Sequence, residues 1–217
     1  MSTPSIIATL APLAPVAEWP TLRELSPAIA QQVFRAAMDA FARPGTVHRL
    51  PPASVPARVP AVVVPLLALA DIMTPIAALQ SGETPVAEAT ERAARLVNAR
   101  VVPPAEARFG LALAEPDDLS ALNRGSHWSP EDGAMLFQRV ASVEAGTEAG
   151  GEGAWRLTGP GVKPGAPAML RVGGLGERFV EQRAERVSDY PAGIDVLLVS
   201  DDGAIAALPR TSSIEVI

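Results

Sequence analysis

Asp195 and Arg210 are the two side chains in this sequence best placed to do chemistry, because each stands at one end of a strand on stiff backbone. Residues 194–199 form a short apolar run, and Asp201-Asp202-Gly203 is a hairpin-type turn into a second run at 204–208. Pro191 and Gly193 lead into Asp195, and Pro209 leads into Arg210 and Thr211. Proline fixes φ and glycine admits conformations that a side chain forbids, so carboxylate and guanidinium are held in place. A guanidinium held this way can grip phosphate or phosphonate through its planar fork, with Asp195 as a base beside it. Equally, the two can pair with one another as a structural salt bridge.

Five further positions could join such a site. Arg35 lies three residues before Met38 at the edge of an apolar helix face, where the plain reading is a solvated arginine with a packed stem. Asp71 with Thr74 reads as a helix stop, and acts in a site only if the fold carries it to Arg210. Arg156 and Thr211 complete the set of candidates for a polar pocket or an interface, with Arg35, Asp71, Thr74, Asp195 and Arg210.

Much chemistry is missing. Cysteine is absent, which removes thiolate nucleophiles, disulfides and cysteine-held metals. His48 and His127 are far apart and neither sits at a metal-ligand spacing. No GxSxG elbow occurs, and the segment Asn123-Arg124-Gly125-Ser126-His127 lacks the strand-to-helix setting that exposes a nucleophilic serine. Gly173-Gly174-Leu175-Gly176-Glu177 lacks the dinucleotide spacing, and residues 159–165 carry Lys163 without a phosphate-loop pattern, so both read as turns. No metal and no cofactor is expected.

The chain has 217 residues and a net charge of -6, enough for one ordinary domain and the wrong sign for a nucleic-acid surface. Lys163 is its only lysine among 18 basic residues, an arginine bias that a GC-rich genome also produces. The first twenty residues are apolar and proline-rich, without the basic start of a targeting signal, and no run is long enough to span a membrane. A cytoplasmic protein is expected, with a partly flexible N-terminal arm at 1–25 and one domain at 26–217.

The elements that must position these residues follow from caps and periodicity. Ser26-Pro27 opens a helix with Ile29, Val33, Phe34, Ala37, Met38 and Phe41 at helical spacing, ending at Arg43-Pro44-Gly45. Strands are expected at 46–50, 76–79, 101–102, 107–113 and 134–143, the last pairing with 155–158 across a mobile tip at 144–153. Helices are expected at 60–70, 84–97, 117–122 and from Gly176 to near Val187, with the strand pair 194–199 and 204–208 closing the fold. Strands and helices interleave, which predicts an α/β domain with helices on both faces of a mixed sheet.

Six motifs in order carry a resemblance to a known family. They are Phe34-Arg35 with Met38-Asp39-Ala40 and Pro44-Gly45; Leu69-Ala70-Asp71 with Thr74-Pro75; Gly125 with Pro130-Glu131 and Gly133-Ala134; Arg156-Leu157-Thr158-Gly159-Pro160-Gly161; Pro191 with Gly193-Ile194-Asp195; and Leu208-Pro209-Arg210-Thr211. In this order and spacing the chain resembles the PhnH family, subunits of the bacterial carbon-phosphorus lyase system of phosphonate breakdown.

The resemblance implies a three-layer α/β/α fold with a mixed sheet, like that of pyridoxal-phosphate-dependent transferases. It implies a homodimer when isolated and assembly with PhnG, PhnI, PhnJ and PhnL type subunits. With the PhnG, PhnI and PhnL types such a subunit supports transfer of a phosphonate to the anomeric carbon of the ribose of MgATP, releasing adenine and giving ribose 1-phosphonate 5-triphosphate, with catalysis placed on PhnI. The namesake cofactor of the fold needs a Schiff-base lysine. Lys163 is followed by proline in a glycine-rich turn, so no pyridoxal phosphate is expected. Ser212 and Ser213 after Thr211, and the long 144–153 tip, depart from the family pattern. The alternative is an independent transferase binding small phosphonates or phosphates, which lacks a clear nucleophile, metal site or cofactor anchor.

Overall fold

The computed structural model describes residues 9–20, 24–55, 58–80, 82, 84–147, 150–162 and 168–217. Lys163, Ser81 and part of the 144–153 tip therefore lie outside the described residues.

Helix α1, Pro27–Ala42, starts where its cap demands: the Ser26 hydroxyl accepts from the Ile29 N–H at 3.4 Å, and Pro27 occupies the first turn. It buries Val33, Ala37 and Ala40. Phe34 and Met38, expected on the same face, are half exposed, because the buried stripe is narrower than the apolar one. Helices α2, Val63–Leu69, and α3, Val86–Val97, follow.

The main sheet has β1, His48–Arg49; β2, Ile76–Ala78; β3, Phe109–Ala112; β4, Met135–Val140; β8, Asp195–Ser200; and β9, Ala204–Leu208. Its order is β1-β9-β8-β4-β3-β2, with β2, β3, β4 and β8 parallel and β9 antiparallel to β8. A second, antiparallel sheet has β5, Ser142–Ala145; β6, Ala154–Thr158; β7, Ala168–Gly173; and β10, Ser213–Val216, in the order β10-β6-β7-β5. Helix α4, Glu177–Val187, returns the chain to β8.

One apolar cluster joins α1, α2 and α3 to one face of the main sheet through Leu111, Phe137 and Leu197. The opposite cluster joins Leu136, Val196 and Leu198 to Trp155, Leu170 and Val172 of the second sheet and to Phe179 of α4. The architecture is thus mixed α/β, with two sheets and four helices among the described residues.

Several expectations are corrected. The run 134–143 breaks at Ala141, so β4 stays in the main sheet and β5 passes to the other; a continuous apolar run cannot reveal that its two halves face different partners. β6 consequently pairs with β7 and β10, leaving the expected hairpin with 134–143 unformed. Residues 117–122 form turns, because the Asp118 carboxylate accepts from the Ser120 N–H and hydroxyl and so competes with helical bonding. Val101 makes only an isolated parallel bridge to Ile76.

The described N-terminal segment 9–20 is docked. Val16 and Trp19 are buried, Arg92 donates to the carbonyls of Val16, Trp19 and Pro20, and the buried Arg139 donates to that of Ala11. Among the described residues, no helix is long and apolar enough to cross a membrane.

Candidate functional site

Parallel register aligns Ile76, Phe109, Met135 and Asp195 at the starts of their strands. The loops entering β2, β3, β4 and β8, with the turn leaving β9, therefore form one edge of the sheet. Five of the seven candidate residues fall on that edge: Asp71, Thr74, Asp195, Arg210 and Thr211. β2 and β8 are three strand spacings apart, about 14 Å, so the edge does not bring Asp71 to Arg210.

Asp71 and Thr74 instead close a local turn. The Thr74 hydroxyl donates to Asp71 Oδ1 at 2.7 Å, and the Met73 N–H donates to the same oxygen at 2.9 Å. Arg35 is exposed on α1, with no hydrogen-bond or ion-pair partner among the described residues. Arg156 is a cross-strand partner of Glu215 on the second sheet, at 2.8 Å. Thr211 is half-buried in the turn after β9.

Asp195 and Arg210 bind each other. Arg210 Nε and Nη2 donate to Asp195 Oδ2 at 3.0 and 2.6 Å, and the Arg210 backbone N–H donates to Oδ1 at 2.8 Å. Nη1 donates to the Pro130 carbonyl at 2.5 Å. Both side chains are mostly buried. The fork that could have gripped an oxyanion is spent within the chain, and the carboxylate that could have served as base accepts three bonds.

Gly133 and Gly193 make room for this. A Cβ on Gly133 would lie 2.2 Å from the Gly193 carbonyl oxygen and 2.8 Å from Arg210 Nη1. The Gly193 N–H donates to the Arg124 carbonyl at 2.7 Å, tying the loop before β8 to the loop before β4.

Arg183 was not singled out in the sequence, yet it is among the most buried large side chains, at 1% exposure. Its Nη groups donate to the carbonyls of Leu208, Pro209 and Ser212 and so hold the turn that carries Arg210. Burial pushes its pKa down to about 10, with Asp195 acting in the opposite sense. A signal existed: Arg183 follows Phe179 and Val180 at helical spacing, which puts a charge on the apolar stripe of α4. Arg186 is likewise shifted down by burial and by Arg124, against the pull of Asp118.

A second group stands further along the edge. Asp189 accepts from Arg124 Nη2 at 3.3 Å and pairs with His127 Nε2 at 3.0 Å. Trp128, next to His127, is 95% exposed.

The glycine-rich turn before α4 holds no open anion cradle, while residues 163–165 of the other, with Lys163, lie outside the described residues. At the start of α4, Glu115 Oε2 accepts from the Gly176 N–H at 2.6 Å while Oε1 accepts from Arg178, so the chain's own carboxylate occupies that end. A cavity of about 630 Å³ between Ser142, Trp155, Leu175 and Ile217 touches none of the seven candidates. Among the described residues no three His, Asp or Glu side chains converge as metal ligands. Lys163, the chain's only lysine and so its only candidate Schiff-base residue, lies outside the described residues.

Comparison with known proteins gives the family. Residues 25–215 match the family described as bacterial phosphonate metabolism protein (PhnH). The chain is 33% identical over 195 residues to alpha-D-ribose 1-methylphosphonate 5-triphosphate synthase subunit PhnH of Rhizobium meliloti (strain 1021), covering 86% of this chain and 90% of that protein. It is 31% identical over 184 residues to a protein of Stutzerimonas stutzeri provisionally described as C-P lyase subunit protein HtxG, covering 85% of each. With a match spanning nearly all of both sheets and all four helices, the chain belongs to the PhnH family of bacterial phosphonate metabolism.

Proposed function

We propose that this chain is an accessory subunit of a carbon-phosphorus lyase assembly, supporting formation of alpha-D-ribose 1-methylphosphonate 5-triphosphate from MgATP and methylphosphonate. The observation that carries this is the near full-length similarity to a relative described as a subunit of that synthase. A structural role for the candidate edge is supported by its hydrogen bonding: Arg210 and Asp195 saturate each other, and Asp71 and Thr74 close a turn. Arg35, Arg156 and Thr211 then belong to surfaces or braces, and catalysis falls to partners of the PhnI kind.

The same proposal includes a homodimer when isolated, assembly with PhnG, PhnI, PhnJ and PhnL type subunits, a cytoplasmic location, one domain over 26–217 and no bound cofactor. It also includes a three-layer fold related to pyridoxal-phosphate transferases. Support for that comes from the helix layer on one face of the mixed sheet and α4 on the other.

The test is to purify the tagged chain from its host grown on methylphosphonate as sole phosphorus source. Stoichiometric recovery of the other lyase subunits is expected. A chain recovered alone under that condition refutes the subunit reading and returns attention to independent transfer.

A further inference from the structure

We infer that Trp128, with Tyr190 on the adjoining loop, anchors this chain to a neighbouring protein subunit through an apolar socket on that partner, an inference that rests on the subunit reading above. Trp128 is 95% exposed and Tyr190 66%. The His127–Asp189 contact at 3.0 Å brings their two loops together. Large aromatics at full exposure are unusual on a monomer, and Trp and Tyr dominate the residues that carry binding energy at interfaces.

The loop that presents Trp128 is braced on all sides. Gly125 N–H donates to Asn123 Oδ1, Ser126 and Ser129 exchange two bonds, and Asp132 N–H donates to the Ser129 carbonyl. From outside, Arg210 holds the Pro130 carbonyl, Gly193 holds the Arg124 carbonyl, and Arg108 pairs with Asp132 at 2.8 Å. An indole on such a loop is already ordered, so docking it costs little entropy. The buried Asp195–Arg210 brace thereby gains a purpose: it fixes the platform under an exposed tryptophan.

Charge and area select the occupant. The rim cations Arg108 and Arg124 are each paired with a carboxylate, so among the described residues these two offer no free charge pair to a phosphate-rich or lipid surface, which matches a neutral, apolar protein socket. Ile72 and Met73, also exposed, lie on the same edge in the loop before β2. With aromatics offering roughly 150–250 Å² each, the four side chains supply on the order of 600 Å² of apolar surface. A standard interface needs about 800 Å² per partner.

The test uses the full chain co-expressed with the remaining subunits of its host's assembly, comparing wild type with Trp128→Glu and Tyr190→Ala. Wild type is expected to recover its partners, Trp128→Glu to recover at least tenfold less, and Tyr190→Ala to fall between, all with unchanged thermal midpoints. Trp19 and Trp155 are buried, so acrylamide quenching reports Trp128, and assembly should protect it. The inference is overturned if Trp128→Glu assembles at wild-type stoichiometry, or if Trp128 stays quenchable in the complex. It is also overturned if the substitution dissolves only a self-dimer, which would make a second copy the occupant. If the wild type itself recovers no partner, the subunit reading has failed first and this inference falls with it.

Discussion

Arg210 donates to Asp195 from both its side chain and its backbone, so one residue locks the path of the chain leaving β9 to the start of β8. Removing the guanidinium leaves a mostly buried carboxylate with a single donor. Arg210→Ala is expected to lower stability by about 3 kcal/mol in urea unfolding, and Asp195→Ala by a similar amount. The double variant should lose less than the sum, because neither charge is then left alone. Arg210→Lys should recover part of the loss only, since an ammonium cannot reproduce the fork. A loss under 0.5 kcal/mol for Arg210→Ala, on the order of an ordinary surface change, would remove the brace from this account.

Gly133 and Gly82 make a matched pair. An added Cβ at Gly133 meets the Gly193 carbonyl at 2.2 Å, whereas Gly82, at φ +57°, has nothing within 4 Å. Gly133→Ala should cost roughly 3 kcal/mol through forced backbone movement, and Gly82→Ala about 1 kcal/mol through its left-handed conformation alone. Equal losses in thermal unfolding would contradict the close approach at Gly133.

The N-terminal segment should come loose when its anchor is cut. Arg92 supplies three bonds to the carbonyls of Val16, Trp19 and Pro20. Arg92→Ala is therefore expected to increase hydrogen exchange over 9–20. In a Trp128→Phe background it should also raise acrylamide quenching of Trp19, with the exchange of β4 and β8 unchanged. Exchange that rises everywhere at once would show that the segment opens only with the whole molecule.

Acid should find a specific weak point in the β8–β9 turn. The Ser200 hydroxyl donates to Asp202 and is the main cause holding that carboxyl below its ordinary range; burial opposes it as the next largest effect, and the Ala204 N–H and Arg49 add to the lowering. The folded pKa is below the unfolded one, so the resulting stability is present above the unfolded value and is lost as pH falls through the folded value. Ser200→Ala should move the Asp202 carboxyl titration upward by NMR. Its stability difference from wild type should shrink as pH drops below about 4. A difference that stays constant to low pH would assign the effect of Ser200 to its bond with the Ala204 carbonyl instead.

Local signals were the readable part of this sequence. Ser26-Pro27 located α1, and Asp201-Asp202-Gly203 located the β8–β9 hairpin, because caps and turns depend on a few adjacent residues. The equal alternatives for Asp195 and Arg210 included the salt bridge that the structure shows. What escaped depends on distant partners. β7 and β10 have no strong pattern of their own and become strands by pairing with β6. The spacing marks Arg183 as a charge on the apolar stripe of α4, but what it holds, the turn of carbonyls at 208–212, is remote in sequence. The Glu115 cap on α4 spans 61 positions and leaves no local trace.

The central β4–β8 pairing, from Met135 against Asp195 to Val140 against Ser200, closes around β5, β6, β7 and α4, while β10 returns from beyond β9 to join β6. Each sheet is thus a loop of the other, and neither can be completed while the other is open. Such non-local closure slows folding and binds the two sheets into one cooperative unit. Slow amide exchange in β6 and β7 should then report the same opening free energy as β4 and β8, and excising the second sheet should yield an unfolded remainder in place of a smaller domain.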